Sequence, residues 1–75
     1  MSINDNKSTR FKRLATNRVN KAINTLRLIG NLANTNNYSF EDNDVSTIFN
    51  AIDEELKLTK ARFSLALKRR RKIKL

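Results

Sequence analysis

A chain of 75 residues with a net charge of +9 makes one small domain at most, with a thin core and a surface that favours anionic partners. It contains no Cys and no His, which excludes disulfides, thiolate metal sites and the usual general base. A unit this short without such staples draws its extra stability from oligomerisation or from docking on a partner.

The charge is sorted into blocks. Residues 1–33 carry seven basic side chains and one acid, residues 34–55 carry six acids and no Lys or Arg, and residues 56–75 carry nine basic side chains and no acid. No apolar run approaches the roughly 20 residues that span a bilayer. Residues 1–7 are polar and hold no hydrophobic signal core. The expectation is a soluble cytoplasmic protein. With no Pro and one Gly, long helices meet little opposition.

In chain order, residues 1–8 are polar and read as a disordered lead-in, with Ser8 or Thr9 as the N-cap of a first helix. That helix is predicted from about residue 9 to about residue 34. Phe11, Ala15, Val19, Ala22, Leu26, Ile29 and Ala33 recur at spacings of three and four and form one apolar stripe. Arg10, Arg13, Lys21 and Arg27 lie opposite, among Asn17, Asn20, Asn24 and Asn31. Lys12 at the stripe edge and Leu28 among the polar residues break the pattern. Gly30 costs helix propensity and is read as room for a second helix to approach. Residues 34–38 form a turn by composition, since Asn tolerates left-handed backbone and bonds its own main chain.

Ser39 then reads as an N-cap, with Asp42 three residues on as a weak capping box, and a second helix is predicted from about residue 40 to beyond residue 67. Its stripe holds Val45, Ile48, Phe49, Ile52, Leu56, Thr59, Phe63, Ala66 and Leu67, and helix is expected to continue to about residue 73. The fold class is all-α: two long antiparallel helices in an αα-hairpin over residues 9–67, self-associating or docked on a larger partner, with a basic extension at residues 68–75. In that hairpin Phe11 faces Phe63, and the later residues overhang by roughly 16 Å at about 1.5 Å per residue.

Catalytic chemistry is not expected. Besides the missing His and Cys, the acids Asp53, Glu54 and Glu55 point about 100° apart on a helix and do not converge on a metal. No cofactor, metal or small-molecule substrate is implied. One Gly cannot build a phosphate loop, and no zinc-finger or helix-turn-helix pattern is present. Phe11, Phe49 and Phe63 read as core rather than as stacking platforms, whereas Tyr38 is a candidate for exposure.

The strongest functional signal is the terminal run. Arg69, Arg70 and Arg71 offer planar forks that match phosphate oxygens, and Lys68, Lys72 and Lys74 add point charges. An acidic protein surface, a solubilising tail and a dipole complement are the competing readings, and a membrane surface is a weaker one. The basic and Asn-rich face of the first helix, through Arg10, Arg13, Lys21 and Arg27, extends the candidate nucleic-acid surface; drift in an Asn-rich chain accounts for the Asn equally well. Candidate residues for self-association or partner docking are Phe11, Val19, Leu26, Ile29, Ile48, Phe49, Ile52, Leu56 and Phe63.

The pattern Arg10-Phe11-x-x-Leu14-Ala15-x-x-Arg18-Val19-Asn20-Lys21-Ala22-Ile23, then Leu28-Ile29-Gly30-Asn31-Leu32, Asn37-Tyr38, Val45, Ile48-Phe49-x-Ala51-Ile52 and Glu55-Leu56, resembles a family of small bacterial proteins of about this length. The resemblance covers about residues 10–63 and implies an association with mobile elements. It implies no activity and carries over no site residue, and residues 68–75 lie outside it. The expectation is a non-enzymatic accessory protein that binds nucleic acid, RNA or a ribonucleoprotein in preference to duplex DNA. The alternative is a subunit that binds and regulates a larger nucleic-acid-processing enzyme or complex.

Overall fold

The structure, a computed structural model, describes residues 6–70. The described residues contain two helices and no strand: α1 (Lys7–Gly30) and α2 (Asp42–Arg70). The chain divides into two units, Met1–Tyr38 and Ser39–Leu75, with one helix in each. The all-α class is as expected. Residues 1–5 of the lead-in and residues 71–75 of the basic run lie outside the described residues.

Helix α1 begins earlier than its sequence suggests. Asn6, not Ser8 or Thr9, is the N-cap: its Oδ1 accepts the Thr9 backbone N–H at 2.8 Å, and its carbonyl accepts the Arg10 N–H at 2.9 Å. Asn caps as well as Ser, and starting at Asn6 adds helical hydrogen bonds that a start at Thr9 would forgo. Lys7 and Ser8 are therefore helical rather than part of a disordered lead-in.

The helix also ends earlier. Gly30 is its last residue, and the Leu32 and Ala33 N–H groups donate to the carbonyls of Ile29 and Gly30, each at 3.0 Å. These three-residue bonds tighten the exit where Gly30 and Asn31 weaken helix propensity. A Cβ built on Gly30 meets nothing within 4 Å, so no neighbour within its own unit requires this glycine.

The expected turn at residues 34–38 is present, by one of the two devices expected of Asn. No described residue has positive φ. Instead Asn34 Oδ1 accepts the Asn36 N–H at 3.0 Å, and the Asn34 carbonyl accepts the N–H groups of Asn37 at 3.1 Å and Tyr38 at 2.9 Å. This is the Asx-turn use of Asn rather than its left-handed use.

Helix α2 starts two residues later than predicted, and Ser39 is not its cap. Glu41 stands immediately before the helix and accepts the Val45 N–H at 3.2 Å, while the Asp44 carboxylate reaches back to the Glu41 N–H at 2.9 Å. That is the acidic half of a capping box, and it leaves Asp42 and Asp44 in the first turn beside the positive dipole end. The helix then runs 29 residues without a break to Lys68, Arg69 and Arg70 in its last turn, the dipole end that favours cations.

Among the described residues no side chain is buried. Leu14, Ala15, Ile29, Ile52 and Thr59 are half-buried, and the rest are exposed. Phe11, Phe49 and Phe63, expected in a core, keep 56%, 47% and 53% of their surface. A helix shields its stripe only through the neighbouring turns, so these rings stay open wherever no second surface covers them. No described helix is long and apolar enough to cross a membrane.

Candidate nucleic-acid interface

Two basic surfaces can be built from the residues upward. On α2 the last turn holds Lys68, Arg69 and Arg70, all exposed. Successive helical residues point about 100° apart, so these three cations encircle the helix end instead of lining one side. Arg71, Lys72 and Lys74 lie outside the described residues.

The ring has supports that the contiguous run does not include. Lys57, Lys60 and Lys68, spaced three and eight apart, fall on one flank of the apolar stripe. Arg62 and Arg69, seven apart, fall on the other. Both flanks are exposed. The signal for them is present in the sequence: nine bases and no acid from residue 56 onward. Reading only the contiguous run hides the three bases outside it.

On α1, Arg10, Arg13, Lys21 and Arg27 are exposed along one face, with Asn17, Asn20 and Asn24 between them and Asn31 at the C-cap just beyond. From Arg10 to Arg27 this face extends roughly 25 Å at about 1.5 Å per residue. Arg18 falls outside it, next to the apolar stripe, and sequence reasoning missed it as well. The first turn of α1 holds no acid and carries Lys7, with Arg10 following. Cations beside the positive end of a helix dipole are mutually unfavourable, and a bound anion relieves the repulsion.

Three Thr hydroxyls on the helices are taken up locally. Thr25, Thr47 and Thr59 each donate to the carbonyl four residues back, at 2.9, 2.8 and 2.8 Å. Among the described residues no group of three or more acidic side chains is placed to hold a metal ion.

The apolar candidates fall into two sets that the chain does not bury. Phe11, Val19 and Leu26 on α1 are exposed and Ile29 is half-buried; Ile48, Phe49, Leu56 and Phe63 on α2 are exposed and Ile52 is half-buried. Sequence reasoning missed a second apolar line on α2. Ala51, Leu58 and Leu65 recur every seven residues, roughly 140° round the helix from the main stripe at 3.6 residues per turn. Leu58 and Leu65 keep 52% and 54% of their surface.

Set against known protein families, curated proteins and solved structures, the chain matches none.

Proposed function

We infer that this chain is a non-enzymatic, cytoplasmic accessory protein that binds nucleic acid, with RNA or a ribonucleoprotein favoured over duplex DNA. The observation that carries this reading is the unbroken passage of α2 from an acidic first turn into an exposed ring of Lys68, Arg69 and Arg70. Arg71, Lys72 and Lys74 continue the run in sequence. Guanidinium forks suit phosphate oxygens, and each phosphate neutralised releases counterions. Arg10, Arg13, Lys21 and Arg27 extend the contact along α1. The sequence carries no helix-turn-helix or zinc-finger pattern for reading a groove, and RNA is bound by backbone and 2′-hydroxyl contacts where such a motif is absent.

Truncation after Leu67 tests the reading. Nucleic-acid affinity and the slope of its logarithm against log salt should both collapse, while circular dichroism keeps the helical signal. Affinity unchanged by the truncation would overturn it.

A second reading has its own support in the half-exposed apolar stripes of both helices: a subunit that docks on, and regulates, a larger nucleic-acid-processing enzyme. Partner binding would then survive the truncation and fail on Leu26→Asp or Ile52→Asp.

A further inference from the structure

The main stripe of α2 has a spacing that single-helix amphipathicity does not require. Phe49, Leu56 and Phe63 recur every seven residues. A second row, Val45, Ile52, Thr59 and Ala66, interleaves with it in alternating steps of four and three. This is the 3.5-residue repeat of a helix that packs lengthwise on another helix. Thr59 fits such a seam because its hydroxyl already donates to the Glu55 carbonyl at 2.8 Å, leaving the methyl to face the partner.

The charges beside the seam identify the occupant. Beside the seam the first half of α2 carries Asp42, Asp44, Asp53 and Glu55, with Glu54 on the far side, and the second half carries only bases. A helix complementary along this whole length must be basic first and acidic last. Helix α1 contains no acid at all, so it can satisfy only one half. Of the two described helices, the one with the required pattern is α2 itself, reversed.

We propose that α2 pairs antiparallel with α2 of a second copy of this chain. In the register that aligns the two seam rows, Phe49 meets Ala66 of the second copy, Leu56 meets Thr59 and Phe63 meets Ile52. Large side chains face smaller ones at these three layers, as close packing requires, and Val45 lies opposite Arg70, whose aliphatic stem can cover it. Reversal also brings like flank positions together. Asp53 then lies beside Lys60 of the second copy, and Glu55 beside Arg62. The two-fold axis repeats both pairs. A parallel pair would stack Phe49 on Phe49 and Thr59 on Thr59, superpose the acidic first turns and the cationic last turns, and align the helix dipoles. The proposal stands whether or not the basic end binds a polyanion.

The test uses nuclease-treated full-length protein at moderate salt. Sedimentation equilibrium should show a dimer. Reversing the acid on each flank with Asp53→Lys and Glu55→Lys should weaken it at least tenfold, and adding Lys60→Glu and Arg62→Glu to the same chain should restore it. Orientation is read from spin labels, for which a chain without native Cys is suited. A label on Lys57→Cys should lie near its counterpart. A label on Lys68→Cys should be separated by roughly 30 Å along the axis, at about 1.5 Å per residue. A monomer at all concentrations, equal distances at both positions, or a reversal that the compensating pair does not restore would each overturn the proposal. Loss of nucleic-acid binding in an intact dimer, or its retention in a monomer, keeps the two readings distinguishable.

Discussion

Two side-chain amides and one carboxylate shape the ends of the helices and the turn between them. Asn6 satisfies an N–H that the first turn of α1 leaves without a helical partner, Asp44 does the same for Glu41 ahead of α2, and Asn34 holds the turn. Replacing Asn6 by Ala should cost about 1 kcal/mol of helix stability, whereas Ser8→Ala should cost almost nothing, because Ser8 is already inside the helix. Thermal unfolding followed by circular dichroism separates the two. A comparable loss from Ser8→Ala would move the cap back to where the sequence alone puts it. Gly30 makes the opposite case. Its φ is not positive and a Cβ there meets open space, so Gly30→Ala should stabilise α1 by about 0.5 kcal/mol through the unfolded chain. A loss instead would mean that a second surface approaches Gly30 closely.

The two elements are largely legible in the sequence, since periodicity over more than twenty residues is hard to misread. Their ends are not. Asn6, Ser8 and Thr9 are all competent caps within four residues, and Ser39, Glu41, Asp42 and Asp44 offer overlapping acid-and-hydroxyl choices. Which of them wins depends on total hydrogen bonding, not on residue type. The candidate site divides the same way. The cationic end of α2 is legible as a run. Lys57, Lys60, Arg62 and the line of Leu58 and Leu65 emerge only once the helix is wound and their shared flanks can be seen. This winding carries a prediction for α1. Changing Arg10, Arg13, Lys21 and Arg27 together to Ala should reduce the salt slope of single-stranded RNA binding by up to about 0.7 for each phosphate that is no longer neutralised. An unchanged slope would confine the interface to α2.

At the scale of the whole chain, the governing fact is that no described side chain is buried. A stripe that its own helix leaves exposed stabilises only once a second surface covers it; in the antiparallel α2 pair proposed above that surface is a second copy, so folding and association become one equilibrium. The melting temperature should therefore rise with protein concentration, which a dilution series of thermal melts would show. Ile52→Asp should abolish that dependence by placing a charge in the seam of α2. A melting temperature independent of concentration would mean that a single chain covers its own stripes.

Half-open Phe and Leu side chains on two thinly protected helices also make good substrates for quality-control proteases, which act on chains that open often. The lifetime of this protein in a cell would then follow the supply of whatever covers its stripes. Copies made in excess of that cover would be degraded first, so that turnover adjusts the number of chains to the number of places available for them.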